Sequence, residues 1–214
     1  MHIPPEAAIG LIHASSFGAL ATQSTELAGY PFATVLPFVP DARHRPVFLV
    51  SRLAEHTKNL AADPRASFLV YQAEQGDVLT GARLTLLGEV VRFEPEDALV
   101  ARYLRYLPDA ERYLALGDFS FFRLEPRRLR MIAGFGRMGW LEGSALENAA
   151  VLPEMEEAAL LEAVAALPDG RRLLGLDRYG ADLERAGQRE RLTFGEVPVA
   201  IEKLADALRS ALAP

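Results

Sequence analysis

A short stretch of the chain concentrates side chains that attract anions. Residues 51–59, SRLAEHTKN, contain Ser51, His56, Thr57 and Lys58 and precede the apolar run ASFLV. A helix is predicted over about residues 53–62, because Asp63 precedes a proline and is disfavoured in helical backbone. The amino end of a helix presents unpaired N–H groups, and nearby hydroxyl and cationic groups strengthen its attraction for a phosphate. The stretch therefore predicts a phosphate site, with an ordinary solvated helix start as the alternative.

Other kinds of chemistry find little support. The chain has no cysteine, which excludes disulfides, thiolate metal sites and iron–sulfur clusters. Its four histidines, at positions 2, 13, 44 and 56, are scattered, and no metal site is predicted from them. The segment GFGRMG at 134–139 matches G-x-G-x-x-G, but Gly143 interrupts the helix that a dinucleotide fold requires next.

Composition and charge bound the class of protein. The chain has 214 residues, half of them hydrophobic, and a formal net charge of −6 without a basic block. A folded globular protein is expected, and nucleic acid is not expected as the main partner. The amino terminus lacks the pattern of a signal peptide, and no apolar run is long enough to span a membrane. We therefore expect a soluble, cytoplasmic protein.

The segments around the phosphate-site stretch predict a β-barrel. A helix over residues 4–15 precedes three strands, FGALATQ, PFATVLPFV and PVFLVS, whose connections are too short for helical crossovers, so antiparallel pairing follows. Later come the strand ASFLVYQ and the long strand ARLTLLGEVVRF, in which Gly88 indicates a bulge or bend. Helices are predicted after Pro95 and Pro108, followed by two strands, DFSFFRLEP and RRLRMIAGF.

The composition changes beyond Trp140. Residues 147–167 are rich in Ala, Leu and Glu and predict a long helix. Three short strands and a closing helix follow; in that helix five apolar residues trace one face: Val197, Ile201, Leu204, Leu208 and Leu212. Two domains are predicted, over residues 1–146 and 147–214.

The motif S-x-L-A-x-H-T-x-N-L-x-x-D-P-R-A-S over residues 51–67 resembles the signature of the FMN-binding split barrels related to pyridoxamine 5′-phosphate oxidase. The HugZ-type heme-utilisation branch is the most similar. Supporting segments occur in the same order along the chain: GALATQ, PFATVLPF, RLTLLGEV, RYL and AGFGRMGWL. The resemblance implies an α+β, mainly β fold, with a six-stranded antiparallel split barrel, flanking helices and a small C-terminal α/β domain. It also implies a homodimer with FMN in a groove between the subunits.

Carried over to this sequence, the resemblance implies three groups of FMN contacts. Ser51, His56 and Thr57, with Lys58 beside them, match the phosphate-binding segment. Thr34, Val35 and Leu36 match the strand along the flavin ring, and Arg83 matches a polar flavin contact. Phe135, Gly136 and Trp140 match a segment that approaches the flavin from the other subunit, although Trp140 is equally explained as a core or interface residue and Arg83 as a surface ion pair.

The sequence departs from the resembling families in ways that bear on function. HugZ-type heme degraders ligate the iron through a C-terminal histidine, yet no histidine follows His56 here. The W-R-L-x-P ending that accompanies pyridoxamine 5′-phosphate oxidase activity is also absent. The leading hypothesis is an FMN-dependent oxidoreductase that acts on an unidentified small molecule. The alternatives are a non-catalytic module that binds flavin or a tetrapyrrole, and heme binding through another ligand.

Overall fold

A computed structural model describes residues 3–74, 77–133, 137–164, 167 and 170–212. The chain opens with helix α1, Pro5–Ala14, which has a proline in its first turn. Its apolar residues Ala8, Ile9, Leu11 and Ile12 are all buried. The helix packs against the barrel sheet and against the C-terminal unit. The predicted first helix is confirmed.

Eight antiparallel strands form the main sheet. In chain order they are β1 Phe17–Gln23, β2 Pro31–Pro37, β3 Val39–Pro40, β4 Pro46–Ser51, β5 Arg65–Glu74, β6 Asp77–Arg92, β7 Phe119–Ile132 and β8 Met138–Glu142. Their spatial order is β2-β1-β5-β6-β7-β4-β3, with β8 also paired to β7. Six long strands thus carry the sheet, and the short β3 and β8 extend it, which confirms the predicted antiparallel split barrel.

The sheet curls around an aromatic and aliphatic core. Phe68 packs edge to face against Phe38 and Phe48, with ring centroids 5.1 and 5.0 Å apart, and the Phe38 and Phe48 rings are tilted to each other at 6.5 Å. The register of β6 on β7 shifts between Leu87 and Gly88, so the bulge predicted at Gly88 is confirmed. A Cβ at Gly88 would lie 2.1 Å from the carbonyl oxygen of Glu125, and this close backbone approach requires glycine.

Five helices flank or follow the sheet strands: α2 Glu55–Ala62, α3 Asp97–Tyr106, α4 Ala110–Leu114, α5 Ser144–Glu147 and α6 Glu154–Glu162. The long helix predicted from residue 147 is wrong at its start, since α6 begins only after Pro153, the N-cap residue. A proline inside a helix would remove a backbone hydrogen bond and clash with the preceding turn. The two strands predicted over residues 118–135 are one continuous strand, β7.

The C-terminal unit has a second, three-stranded antiparallel sheet. It contains β9 Arg172–Leu176, β10 Gly180–Arg185 and β11 Gln188–Thr193 in the order β11-β10-β9. A 3-10 turn, Ile201–Lys203, leads into the final helix, α7 Leu204–Leu212. Leu176, Phe194, Leu204 and Leu208 form part of a separate apolar core. The boundary after residue 146 stays a prediction.

Among the residues that the structure describes, no helix is both long and apolar enough to cross a bilayer.

Candidate functional site

One face of the barrel sheet is uncovered, and we call it the outer face. Its central row consists of residues that lie opposite one another on six adjacent strands: Val35, Ala19, Leu69, Thr85, Arg130 and Trp140. Their neighbours along each strand point to the other side, and among these Leu20, Phe68, Leu84 and Leu129 are almost fully buried. The sheet therefore has one face in the core and one face open to a ligand or partner.

The outer face is apolar with a cationic border. Its exposed large hydrophobic side chains are Phe17, Val35, Leu69, Met138 and Trp140. The guanidinium groups of Arg128 and Arg130 lie 4.7 and 5.5 Å from the Trp140 ring. Exposed apolar patches of this kind on a folded protein mark binding surfaces.

A groove of 490 Å³ lies at one end of the outer face, beside Gln23 and Pro31. Ala21, Ser67 and Leu87 contribute to its wall, and Arg65 and Arg127 also line it. This volume lies within the range of small-molecule sites, roughly 300–1,000 Å³. Arg65 is paired with Asp63 and Arg127 with Glu89, but the arginine side chains are 78% and 74% exposed. Such surface ion pairs are weak, so both arginines can exchange their partners for an anionic ligand at little cost.

The hydroxyl groups at the start of α2 have partners within the chain. Ser51 Oγ donates to Asp118 Oδ2 at 2.6 Å and accepts from the Leu53 N–H at 3.1 Å. Thr57 Oγ1 donates to the Ser51 carbonyl oxygen at 2.7 Å. Lys58 Nζ lies 3.3 Å from Glu55. These contacts hold the turn between β4 and α2, and they place a carboxylate beside Ser51, where a phosphate would be repelled.

His56 differs from the hydroxyls beside it. Its residue is only 8% exposed, and its Nε2 atom has no hydrogen-bond partner among the described residues. Burial lowers the pKa of this imidazole, because the charged form is penalised away from water. A neutral histidine with an unpartnered ring nitrogen can form one hydrogen bond with a ligand.

Asn59 fixes α2 to the first strand. Its Oδ1 accepts from the N–H of Thr25 at 2.9 Å and from the Thr25 hydroxyl at 3.0 Å, while its Nδ2 donates to Thr22 Oγ1 at 3.0 Å. Helix α2 also contacts β2. The two segments matched to the flavin phosphate and the flavin ring are therefore neighbours.

The remaining site residues predicted from the sequence lie along the sheet. Thr34 and Leu36 are half-buried, while Val35 points outward. Arg83, in β6, stands opposite Tyr71 and Ile132. Phe135 and Gly136 lie outside the described residues.

Val35 and Trp140 lie at the two ends of the central row. Five strand spacings of about 4.8 Å separate them, or about 24 Å along the sheet. If both residues contact one cofactor, this separation along the sheet favours a site shared between two copies. Sequence reasoning also missed Arg65 and Arg127 as groove residues, although Arg65 lies inside the 51–67 motif.

The sheet is curled and antiparallel, a helix packs on its inner side, and its outer face is uncovered. This arrangement is that of a split barrel. The chain belongs to the CREG beta-barrel family, whose model matches residues 2–147. This membership agrees with the resemblance to the split barrels related to pyridoxamine 5′-phosphate oxidase and to their HugZ-type branch.

Two relatives carry names that mention heme. Non-canonical heme oxygenase HOZ, a chloroplastic protein of Arabidopsis thaliana, is 38% identical over 133 residues, which cover 61% of this chain and 40% of HOZ. Heme oxygenase HutZ of Vibrio cholerae is 26% identical over 144 residues, covering 63% of this chain and 80% of HutZ. This chain thus matches less than half the length of HOZ.

A solved structure extends the similarity to the C-terminal unit. The heme binding protein from Mycobacterium smegmatis is 27% identical, with a TM-score of 0.63, and the match covers 99% of this chain and 97% of that chain. The barrel and the C-terminal unit therefore occur together in a known protein.

Proposed function

We propose that two copies of this chain pair through their outer faces and bind heme in the groove between them. The uncovered apolar outer face carries this proposal, since the opposite face of the same strands lies largely in the core. A flat apolar macrocycle with anionic side groups matches a surface of exposed aromatic and aliphatic side chains bordered by arginines. The names of HOZ, HutZ and the mycobacterial protein favour heme among such cofactors.

The residues of the outer face fit heme in two respects. Arg65 and Arg127 of the groove supply cations for the propionates, and elsewhere on the same face Met138 exposes a thioether of the type that ligates heme iron. None of the described histidines lies on this face. A bound heme would supply oxygen or electron chemistry, while the protein orients it and excludes water.

FMN is the second candidate, and a specific observation favours it. The unpartnered, buried Nε2 of His56 lies in the first turn of α2, next to the strand that matches the flavin-ring segment. A flavin in this position would make the protein an FMN-dependent oxidoreductase acting on a small molecule. The hydrogen bonds that Ser51 and Thr57 make within the chain count against phosphate binding at this position. Heme is therefore the first candidate.

Parallel titrations test the proposal. Heme added to the purified chain is expected to give a shifted Soret band, and the Arg65→Ala/Arg127→Ala variant is expected to bind about 100-fold or more weakly, since each of the two lost charge-assisted hydrogen bonds costs about 1.5–3 kcal/mol. Arg209→Ala, which breaks an exposed ion pair with Asp206 in α7, is the matched control and should bind like wild type.

Two other results would replace the heme proposal. The first is quenching of FMN fluorescence that is lost in His56→Gln, with no Soret shift. The second is equal heme affinity in the double variant and the wild type, because the groove would then not hold the propionates.

The dimer is tested with Val35→Glu. Val35 is 65% exposed on the outer face, so a charge there should leave the single chain folded but disfavour pairing. Size-exclusion chromatography with light scattering is expected to give a dimer for the wild type and a monomer for the variant. Met155→Glu, at a 75% exposed position on α6, should remain dimeric. A monomeric wild type, or a dimeric Val35→Glu variant, would contradict pairing through the outer face.

A further inference from the structure

Five polar side chains meet where the barrel joins the C-terminal unit, away from the outer face, and we call them the junction cluster. They are His13 of α1, His44 of the loop between β3 and β4, Asp177 of the loop between β9 and β10, Asp182 of β10, and Arg191 of β11. Each side chain is buried to nine-tenths or more. Neither the outer face nor the start of α2 uses any of these residues.

Three of these residues direct donor atoms toward one point. His13 Nε2 lies 3.0 Å from His44 Nδ1 and 3.4 Å from Asp177 Oδ2. One ligand atom from each of the three residues lies within 4.8 Å of the other two. A tetrahedral zinc ion bound at about 2.0–2.1 Å holds its ligand atoms roughly 3.4 Å apart, so the spacing suits such an ion.

The residues around the three donor atoms orient them and set the local charge, as in known metal sites. His13 Nδ1 donates to Asp182 Oδ2 at 2.7 Å, which leaves Nε2 with a lone pair facing His44 and Asp177. That lone pair accepts from His44 Nδ1 at 3.0 Å, and a bound metal ion would replace this hydrogen bond. A carboxylate that holds the far nitrogen of a ligating histidine is a common companion of bound zinc. Arg191 donates to Asp177 and to Asp182 at 2.7 Å each. One guanidinium thus faces two carboxylates, and one negative charge of this trio is left for a further cation.

Three side-chain atoms of the junction cluster are buried without a hydrogen-bond partner among the described residues. They are Asp177 Oδ2, His44 Nε2 and Arg191 Nε. Asp177 Oδ2 faces His13 Nε2 across 3.4 Å, so this buried carboxylate oxygen borders the position that a cation would occupy.

We propose that His13, His44 and Asp177 bind one zinc ion or a similar divalent transition metal, which links the barrel to the C-terminal unit. Two imidazoles and one carboxylate form a ligand set that suits zinc and leaves a fourth position for water. Mg²⁺ and Ca²⁺ prefer oxygen ligands and are not expected to bind. The proposal is independent of any cofactor on the outer face.

The test uses the full chain stripped with a chelator and then given Zn²⁺ alone. One zinc per chain should remain after gel filtration, and the melting temperature should rise by roughly 5 °C or more when free zinc is 100 times its dissociation constant. Mg²⁺ at the same concentration should give no shift. No retained zinc, or an equal shift with Mg²⁺, would overturn the site.

Two variants remove a ligand while keeping the local structure. His44→Gly suits the backbone φ of 63° at this position and leaves no side-chain atom near Nδ1, and the loop is held independently by Asp41. His13→Asn keeps an amide that can donate to Asp182 but has no atom at the Nε2 position. Both should lose the zinc and the thermal shift, whereas His56→Gln, a buried histidine elsewhere, should keep both.

Zinc retained by both ligand variants would contradict this ligand set. If either variant does not fold, Co²⁺ added to the wild type decides the question. A visible spectrum of tetrahedral cobalt with nitrogen ligands supports the site, and the weak spectrum of six-coordinate cobalt overturns it.

Discussion

Replacement of Glu157 with glutamine is expected to lower the free energy of unfolding by about 3–5 kcal/mol, because the change removes one partner of a buried ion pair. The Glu157 side chain is 1% exposed and the Arg102 side chain 3% exposed. Glu157 Oε1 accepts from Arg102 and, at 2.8 Å, from the Leu176 N–H; Oε2 accepts from Arg105 at 2.8 Å. Without the carboxylate, the buried Arg102 guanidinium loses its directly bonded anion.

The position of Glu157 makes the loss larger than that of a surface pair. Helix α6 carries Glu157, helix α3 carries both arginines, and β9 supplies the Leu176 N–H. One carboxylate therefore holds three elements together at the junction of the barrel and the C-terminal unit. Arg102 also donates to the Pro40 carbonyl oxygen at 2.9 Å, but that bond brings no negative charge.

Urea unfolding followed by circular dichroism measures the effect. Glu156→Gln, the exposed neighbour on the same helix, is the matched control and should stay within about 0.5 kcal/mol of wild type. A second check is the pair Arg102→Met/Glu157→Leu, which should be more stable than the sum of its single changes predicts, because no charge is left buried alone. A loss below about 1 kcal/mol for Glu157→Gln would contradict the importance of this ion pair.

The Gly88→Ala variant is expected to be destabilised by about 3 kcal/mol, at the upper end of the range for overpacking, because the added methyl group meets backbone. The new Cβ would lie 2.1 Å from the Glu125 carbonyl oxygen and 3.0 Å from the Pro126 Cα. Side chains can rotate away from a clash, but these atoms belong to the paired strand β7. Relief requires β6 and β7 to separate at the bulge, where the sheet bends.

Gly10→Ala is the matched control with the opposite sign. Gly10 lies inside α1, and a Cβ there would meet nothing within 4 Å. Alanine should stabilise the helix by about 0.5–1 kcal/mol, because glycine loses more backbone entropy on folding. Thermal unfolding of the two variants should therefore move in opposite directions from wild type. Similar melting temperatures for both would show that the sheet accommodates the methyl group.

Local patterns predicted most of the strands correctly. The strands Phe17–Gln23 and Pro46–Ser51 match the predicted segments at both ends, because β-branched and aromatic residues and flanking turn residues mark them. The bulge at Gly88 was also predictable from a glycine within a long strand. The helix predicted over residues 147–167 begins later than predicted, because the prediction relied on composition and gave too little weight to Pro153.

The candidate site was predictable only in part. A motif identifies Ser51, His56 and Thr57 as neighbours along the chain, but the partners of their polar atoms come from distant segments. Asp118, which accepts the Ser51 hydrogen bond, is 67 residues away. Arg65 and Arg127 line one groove only because β5, β6 and β7 lie side by side in the sheet.

Local sequence patterns specify the antiparallel barrel and the helix after β4, since hydrophobic period, proline and glycine act over a few residues. Long-range packing specifies which sheet face stays open, where Trp140 lies relative to Val35, and how His13, His44 and Asp177 meet. His13 and Asp182 are 169 residues apart, yet they lie 2.7 Å apart at the junction. No local pattern encodes such a contact, because it depends on how the C-terminal sheet docks against α1.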